Sequence, residues 1–234
     1  MSVLDPTADA RRAFDAMRAG GIAVMPMDVG YSLIGATPAA LKKIFATKQR
    51  APSKLNAMLG NDAIARDLYQ LDARGWEVYS AITHDYDLPL GAVAPYRVNH
   101  PIFANLDLPT IDASTKDGTL LMLVNAGRFH AAVTALSHQH QVALFGSSAN
   151  MTMTGTKFDG ADIEPAIRAI ADVVIDYGLM KYHPWRASST ILNLATLEVV
   201  RIGACYENVQ SILRRHFKVE LPAAPSPRNS PGTA

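Results

Sequence analysis

A basic segment in the first third of the chain carries side chains well suited to bind phosphate. Residues 29–61 contain five Lys or Arg residues and no Asp or Glu. Three of these cations, Lys48, Arg50 and Lys54, lie around a proline-containing turn. Arg offers a planar fork to phosphate oxygens and Lys a compact charge, so we expect the three side chains to converge on one polyphosphate. A solvated basic helix end is the alternative interpretation.

A short polar segment follows an apolar run later in the chain. Residues 146–150 read GSSAN and come directly after VALF at 142–145, a run that is typical of a buried strand. Small hydroxyl and amide side chains at a strand end fit the crevice in which α/β sheets bind ligands. Because Ser and Asn are also common in turns and helix caps, the segment by itself also fits a structural role.

Other reactive side chains do not form a recognisable site. His138 and His140 have no third ligand close by in the sequence, so we predict no metal ligands. The single cysteine, Cys205, is expected to be a small buried apolar side chain. The sequence contains neither a P-loop nor a GxGxxG turn, and Ser148 lacks the GxSxG elbow of α/β-hydrolases. Side chains would therefore have to hold any phosphates.

The apolar pattern alternates between helices and strands, with more strands toward the C-terminus. The predicted strands are 22–26, 55–59, 119–124, 142–145, 173–176, 189–194 and 197–202. The predicted helices are 8–19, a helix that begins at Pro38, 61–69, 75–82, 129–137 and 207–217. Residues 88–101, rich in Pro and Gly, predict irregular chain with short extended pieces. This order favours an α/β or α+β fold with one mixed twisted sheet and helices against it.

Length and composition are those of a soluble globular protein. The chain has 234 residues, of which 49% are hydrophobic and 18% charged, and its net charge is +1. One domain of this size can bury a full core, and the balanced charge gives no global attraction to nucleic acid or anionic membrane. We expect a cytoplasmic protein without a membrane partner, because no apolar run suits a membrane span or a signal peptide. The expected domain covers 8–218, and a disordered proline-rich tail covers 219–234.

Five segments of the chain match a set of motifs known from one protein family. They are residues 20–33 with a GG-strand-PTDTVYGL opening, 48–50 with KxR, 147–150 with TSAN, 188–191 with PSTI, and 201–203 with RxG. Their order and spacing resemble the YrdC-like family, whose best-known members are threonylcarbamoyl-AMP synthases of tRNA modification. The resemblance covers most of residues 10–215.

The resemblance implies a single YrdC-like domain, in which a twisted mixed sheet and flanking helices surround a basic cavity. Members of the family bind ATP, bicarbonate and L-threonine in this cavity, form threonylcarbamoyl-adenylate and release pyrophosphate. The implied activity is that of a nucleotidyltransferase, with Mg²⁺ bound to the triphosphate of its ATP substrate and tRNA as a downstream partner. The oligomeric state does not follow from the sequence.

The family motifs also imply roles for individual residues. Lys48 and Arg50 would be catalytic, because fixed cations offset the repulsion between a carbamate and the triphosphate and stabilise leaving pyrophosphate. The residues expected to bind nucleotide or substrate are Asp28, Tyr31, Lys54, Ser148, Asn150, Ser189 and Arg201. Charge reversal at Lys48 or Arg50 is expected to abolish ATP binding at little cost in stability, because exposed cations seldom hold a fold together.

Departures from the family pattern cluster where the substrate amino acid should bind. Met27 and Val29 replace two threonines of the opening motif, and residues 120–125 lack the arginine of the family's VRxP strand. These changes leave open a paralogue that adenylates another carbamoyl or carboxyl compound. A third hypothesis is a non-catalytic RNA-binding module that uses the basic 42–54 surface, whose affinity would fall steeply with salt.

Overall fold

A computed structural model describes residues 3–49 and 56–223, and these residues form one mixed sheet with helices against it. The helices are α1 (Pro6–Arg18), α2 (Pro38–Thr47), α3 (Asp62–Leu68), α4 (Ala73–Ser80), α5 (Leu108–Asp112), α6 (Arg128–His140), α7 (Pro165–Arg168) and α8 (Tyr206–Ile212). The strands are β1 (Ile22–Met27), β2 (Gly30–Gly35), β3 (Ala57–Leu59), β4 (Leu90–Pro95), β5 (Thr115–Lys116), β6 (Thr119–Val124), β7 (Phe145–Ser148), β8 (Val173–Val174), β9 (Ile191–Asn193) and β10 (Val199–Arg201).

The strands of the described residues are hydrogen-bonded in the order β10-β9-β4-β6-β3-β7-β2-β1-β8, and β5 pairs with β6. Three pairs, β3 with β6, β4 with β9 and β1 with β8, are parallel. The other pairs are antiparallel. The predicted α/β class and single mixed sheet are therefore confirmed.

Polar side chains fix where five of the helices begin. Each accepts a hydrogen bond from a backbone N–H of the first helical turn, which would otherwise lack a partner. The capping residues are Asp5 for α1, Thr37 for α2, Asn61 for α3, Asp72 for α4 and Asp107 for α5. Pro6 and Pro38 start α1 and α2, where the missing proline N–H costs nothing.

The helices divide between the two faces of the sheet. Apolar side chains of α1 and α6, such as Phe14, belong to a buried cluster with Met25 of β1. On the other face, α2, α3, α4 and α8 contribute to a second cluster, which includes Ile44 and Met58. Both faces of the central strands are thus covered, as expected of a sheet with buried parallel pairs.

Three strands differ from the sequence-based expectations. The predicted strand at 142–145 is wrong, because β7 begins at Phe145 and contains Gly146 and Ser148 themselves. Irregular chain with short extended pieces was expected at 88–101, but the six-residue strand β4 runs through Leu90–Pro95 and pairs with β6 and β9. Strand β2 was not predicted at all. In each case pairing on both sides of the strand outweighs the weak local preference of Gly, Ser and Pro.

The C-terminal end of the described chain packs against α8. Leu221 is buried, and the Tyr206 hydroxyl and the Gln210 amide donate hydrogen bonds to the Pro222 carbonyl. Residues 224–234, the larger part of the predicted tail, lie outside the described residues. Among the described helices, none combines the length and the apolar composition that a membrane crossing requires.

Candidate functional site

Lys48 follows the last residue of α2 and turns inward. Its side chain is only 3% exposed, and its Nζ donates a hydrogen bond to the backbone carbonyl of Ser148. The hydroxyl of Thr152 donates to the backbone carbonyl of Lys48. The expectation that Lys48 is an exposed cation is therefore wrong, and the reason given for a small cost in stability no longer holds. A buried ammonium group with defined partners is costly to disturb.

Ser148 and Asn150 hold each other beside this lysine. The Ser148 hydroxyl donates to Asn150 Oδ1, and the largely buried Asn150 donates its amide to the Met151 carbonyl. Ser148 is the last residue of β7, where it pairs with Ser32 of β2. We call Lys48, Ser148, Asn150 and Thr152 the Lys48 cluster. It brings together three predicted site residues, and the sheet fixes their backbone.

The other cations of the predicted basic segment either lie outside the described residues or are exposed. Arg50 and Lys54 lie outside the described residues, so their convergence with Lys48 stays a prediction. Lys42 and Lys43 lie on the exposed side of α2. Because Lys48 is buried, these three lysines do not share one exposed surface of the kind that the RNA-binding hypothesis requires.

Tyr31 is a fully buried residue of β2 whose hydroxyl is engaged within the protein. The hydroxyl oxygen lies 2.8 Å from both Asp176 Oδ1 and the Gly178 carbonyl, and it accepts a 3.0 Å hydrogen bond from the Tyr177 N–H. Burial, together with the hydrogen bond to Asp176, raises the pKa of Tyr31 well above its ordinary value. The side chain therefore stays neutral and ties β2 to the 176–178 turn.

Ser189 and Arg201 form a separate pair near the start of β9. Arg201 Nη2 donates a 2.7 Å hydrogen bond to the backbone carbonyl of Ser189, and Ser189 is buried. Gly203 packs against the same segment, where a Cβ atom would lie 2.2 Å from the Ser188 carbonyl oxygen. Only glycine fits this approach, which gives the RxG motif a structural reason in this chain.

Asp28 occupies the turn between β1 and β2. Its backbone N–H donates to the Ala126 carbonyl at 2.8 Å, and its carboxylate lies 3.8 Å from the Nζ of Lys181. Burial raises the pKa of the Asp28 carboxyl group; Lys181 opposes this rise and Asp87 adds to it. Asp28 also lines a cavity of about 770 Å³, which we call the Asp28 cavity.

Two residues near these sites, Thr152 and Asn125, make contacts that the sequence did not indicate. Thr152, just beyond the SSAN motif, anchors the backbone of Lys48. Asn125 donates its amide to the Thr83 carbonyl, to Asp87 Oδ1 and to the Leu88 carbonyl, so it ties two loops together. The sequence signal near Asn125 was the stretch 120–125, from which the arginine of the family's VRxP strand is missing.

The part of the chain that the structure describes offers no cluster of side chains for a metal ion. Metal ions bound by side chains need several carboxylate, thiolate or imidazole groups together. Within residues 3–49 and 56–223, no three His, Cys, Asp or Glu side chains are grouped in this way.

The mixed sheet with helices on both faces, together with the five sequence motifs in their order along the chain, defines a YrdC-like domain. A model of the Sua5/YciO/YrdC family, described as telomere recombination, matches residues 15–203. The chain therefore belongs to this family. No curated protein sequence matches the chain.

Solved structures share the fold at low sequence identity. A hypothetical protein, smu.1377c from Streptococcus mutans UA159, is 18% identical with a TM-score of 0.74, over 90% of this chain and 93% of the other. P. abyssi Sua5 complexed with L-threonine is 16% identical with a TM-score of 0.73, over 94% of this chain and 61% of the Sua5 chain. E. coli YciO is 17% identical with a TM-score of 0.61, over 83% and 88% of the two chains. This chain thus spans less than two thirds of the Sua5 length.

Proposed function

We propose that this protein is a nucleotidyltransferase that forms a carbamoyl-adenylate from ATP, bicarbonate and an amino acid, with L-threonine as the default substrate. The product would be L-threonylcarbamoyladenylate, which serves tRNA modification. Membership of the Sua5/YciO/YrdC family supports the proposal, as does the Sua5 structure that contains L-threonine.

The observation that carries the proposal is the Lys48 cluster. In the proposed reaction, the amine of the amino acid and bicarbonate form a carbamate with loss of water. A carbamate oxygen then attacks the α-phosphorus of ATP, and the bond to the β-phosphate breaks to release pyrophosphate. Both reactants are anions, so a fixed cation is needed between them. The Lys48 amine is held by the Ser148 carbonyl, so little reorganisation would precede the reaction.

The other predicted residues would complete the site around this lysine. Arg50 and Lys54 would contact the phosphates together with Lys48. The Ser148 hydroxyl and Asn150 amide would bind the nucleotide, with Ser189 and Arg201 on the same side. Mg²⁺ would arrive bound to the triphosphate and neutralise part of its charge.

Calorimetric titration of the full chain with ATP and Mg²⁺ tests the proposal directly. Wild-type protein should bind ATP saturably, and it should release pyrophosphate when bicarbonate and L-threonine are added. Lys48→Gln should weaken ATP binding at least about tenfold. Lys43→Gln, which removes an equal charge from an exposed position of α2, should bind like wild type. No binding heat from folded wild-type protein would refute the proposal.

Ser148→Ala separates binding from folding. It removes a hydroxyl but keeps the backbone carbonyl that accepts from Lys48. We expect wild-type thermal stability within a few degrees, with ATP affinity about tenfold weaker, because one hydrogen bond to the nucleotide is lost. Unchanged affinity in this variant would remove Ser148 from the nucleotide site.

A second candidate keeps the chemistry and changes the substrate. Met27 and Val29 are fully buried in the apolar cluster that contains Leu59 and Leu123, so they offer no hydroxyl to an amino acid. ATP/pyrophosphate exchange with a panel of amino acids and bicarbonate, compared with carbamoyl phosphate, distinguishes the two candidates. Strong exchange with threonine alone would eliminate the second candidate.

A further inference from the structure

The Asp28 cavity is lined by several parts of the chain. They include residues 3, 4 and 6 near the N-terminus, the β1–β2 turn at Asp28, the beginning of α6 at residues 127–129, and the segment 177–182. Asp87 and Asn125 also line it. Its volume of about 770 Å³ is within the range of small-molecule sites in proteins. Among the described residues with predicted site roles, only Asp28 lines this cavity, so it extends beyond the Lys48 cluster.

One part of the wall is apolar and aromatic. The rings of Phe129 and Tyr177 meet edge to face, with their centroids 6.0 Å apart. Met180 and Tyr182 continue this surface, and Leu179 lies beside it with 56% of its surface exposed. An exposed leucine next to a cavity is surface that an apolar ligand could cover.

Of the two cationic side chains among the described residues that line the cavity, one faces a carboxylate and the other does not. Lys181 lies 3.8 Å from the carboxylate of Asp28, and Asp87 accepts a 2.9 Å hydrogen bond from the Asn125 amide. Arg128 lines the same cavity, and its guanidinium makes no ion pair with any acid of the described residues. A guanidinium binds a carboxylate through two parallel hydrogen bonds. Arg128 is thus the cation that remains for a ligand.

We propose that the Asp28 cavity binds a small organic monoanion, a carboxylate attached to an aromatic or branched apolar body. The carboxylate binds Arg128, and the apolar body covers Leu179 and the Phe129–Tyr177 wall. A dianion such as a phosphate monoester is disfavoured, because the carboxylates of Asp28 and Asp87 lie on the same cavity and repel a second negative charge. This site is additional to the proposed adenylation reaction and does not depend on it.

NMR titration of the ¹⁵N-labelled full chain with three matched probes tests the ligand class. Phenylacetate should shift the backbone amide signals of Gly127, Arg128 and Phe129 in a saturable way. Phenylacetamide, which has the same shape without the charge, should bind at least about tenfold more weakly. Phenyl phosphate should also bind more weakly than phenylacetate. Equal affinity for phenylacetate and phenylacetamide, or a preference for phenyl phosphate, would overturn the proposal.

Variants of exposed residues locate the binding site. Arg128→Gln should weaken phenylacetate binding about tenfold, and Arg128→Lys should fall between this variant and wild type because it keeps the charge but loses the fork. Arg214→Gln, an equal charge change on an exposed residue that does not line the cavity, should leave the affinity unchanged. Unaltered binding in Arg128→Gln, or tighter binding of L-threonine than of phenylacetate at the same amides, would contradict the proposal.

Discussion

The Lys48 cluster and the Asp28 cavity both contain a lysine, but they hold it in opposite ways. Lys48 is 3% exposed and donates to a backbone carbonyl. The Lys181 side chain is 60% exposed and lies 3.8 Å from its acid. The first lysine is positioned in advance of any ligand, whereas the second remains solvated. We therefore expect substitution of Lys48 itself to affect folding and binding together, and substitutions at the rim of the cavity to affect binding alone.

The largest effect is expected from Gly146→Ala, next to the Lys48 cluster. A Cβ atom at this position would lie 2.0 Å from the backbone oxygen of Leu33, so β7 and β2 would have to separate. We expect the free energy of unfolding to fall by at least about 3 kcal/mol in urea titrations. Gly118→Ala is the control, because its positive φ of 71° is strained but nothing lies within 4 Å of the new atom. That variant should lose only about 1 kcal/mol, and equal losses would contradict the steric argument.

The next effect concerns His130, on the helix that begins at the Asp28 cavity. Burial lowers the pKa of His130 from 6.5 to about 4, although its hydrogen bond to the Leu123 carbonyl opposes this shift. Above pH 6.5 the imidazole is neutral in the folded and unfolded states. As the pH falls toward about 4, the unfolded state takes up a proton that the folded state does not. Burial of neutral His130 should therefore lower the free energy of unfolding by about 3 kcal/mol as the pH falls from 6.5 to about 4.

Urea titrations of wild type and His130→Gln between pH 7 and 4 measure this term. The variant should be less stable than wild type at pH 7, and it should lose less stability on acidification. His216→Gln, which alters an exposed histidine on a different helical segment, is the control variant. Parallel curves for wild type and His130→Gln would show that His130 is not the titrating group.

Lys48→Gln should have a smaller effect on stability, although we expect it to be decisive for ATP binding. The variant loses the charged hydrogen bond to the Ser148 carbonyl in a buried position. A loss of about 2 kcal/mol in the free energy of unfolding is expected. Lys43→Gln on the exposed side of α2 should change stability by no more than about 0.5 kcal/mol. Equal stability of the two variants would mean that Lys48 does not help to hold the fold.

Lys181→Gln should have the smallest effect and sharpens the contrast between the two regions. An exposed pair at 3.8 Å is screened by water, so its loss should change the free energy of unfolding by less than about 0.5 kcal/mol. A destabilisation as large as that of Lys48→Gln would erase the difference between the two lysines.

The sequence predicted the class of the fold better than the limits of individual strands. The apolar run TLLMLV was expected to be a strand and is β6, because its backbone pairs with β3 and β4 and most of its side chains are buried. The strand at 142–145 was placed three residues too early. Ala143 and Leu144 are buried in a loop, whereas the less apolar Gly146 and Ser148 are held in the sheet by β2 and β3.

The sequence indicated which residue types belong to the candidate site, but not how deeply they are buried or which groups they contact. That Lys48 is a cation next to a serine-rich segment followed from the motifs. Its burial depends on a carbonyl 100 residues away, which no local pattern contains. Asp28 belongs to the opening motif, but no motif indicated the rest of the Asp28 cavity. Arg128 and Lys181 both line it only because α6 packs near the segment 177–182.

The two bonds that join Lys48 to Ser148 and Thr152 span 100 and 104 residues of chain. During synthesis, the first third of the protein leaves the ribosome long before these partners exist. Contacts of such high sequence separation form late, after the loop-closure entropy has been overcome. The nascent chain must therefore keep this lysine hydrated until β7 is in place, and the proposed binding of ATP could begin only when most of the domain has folded.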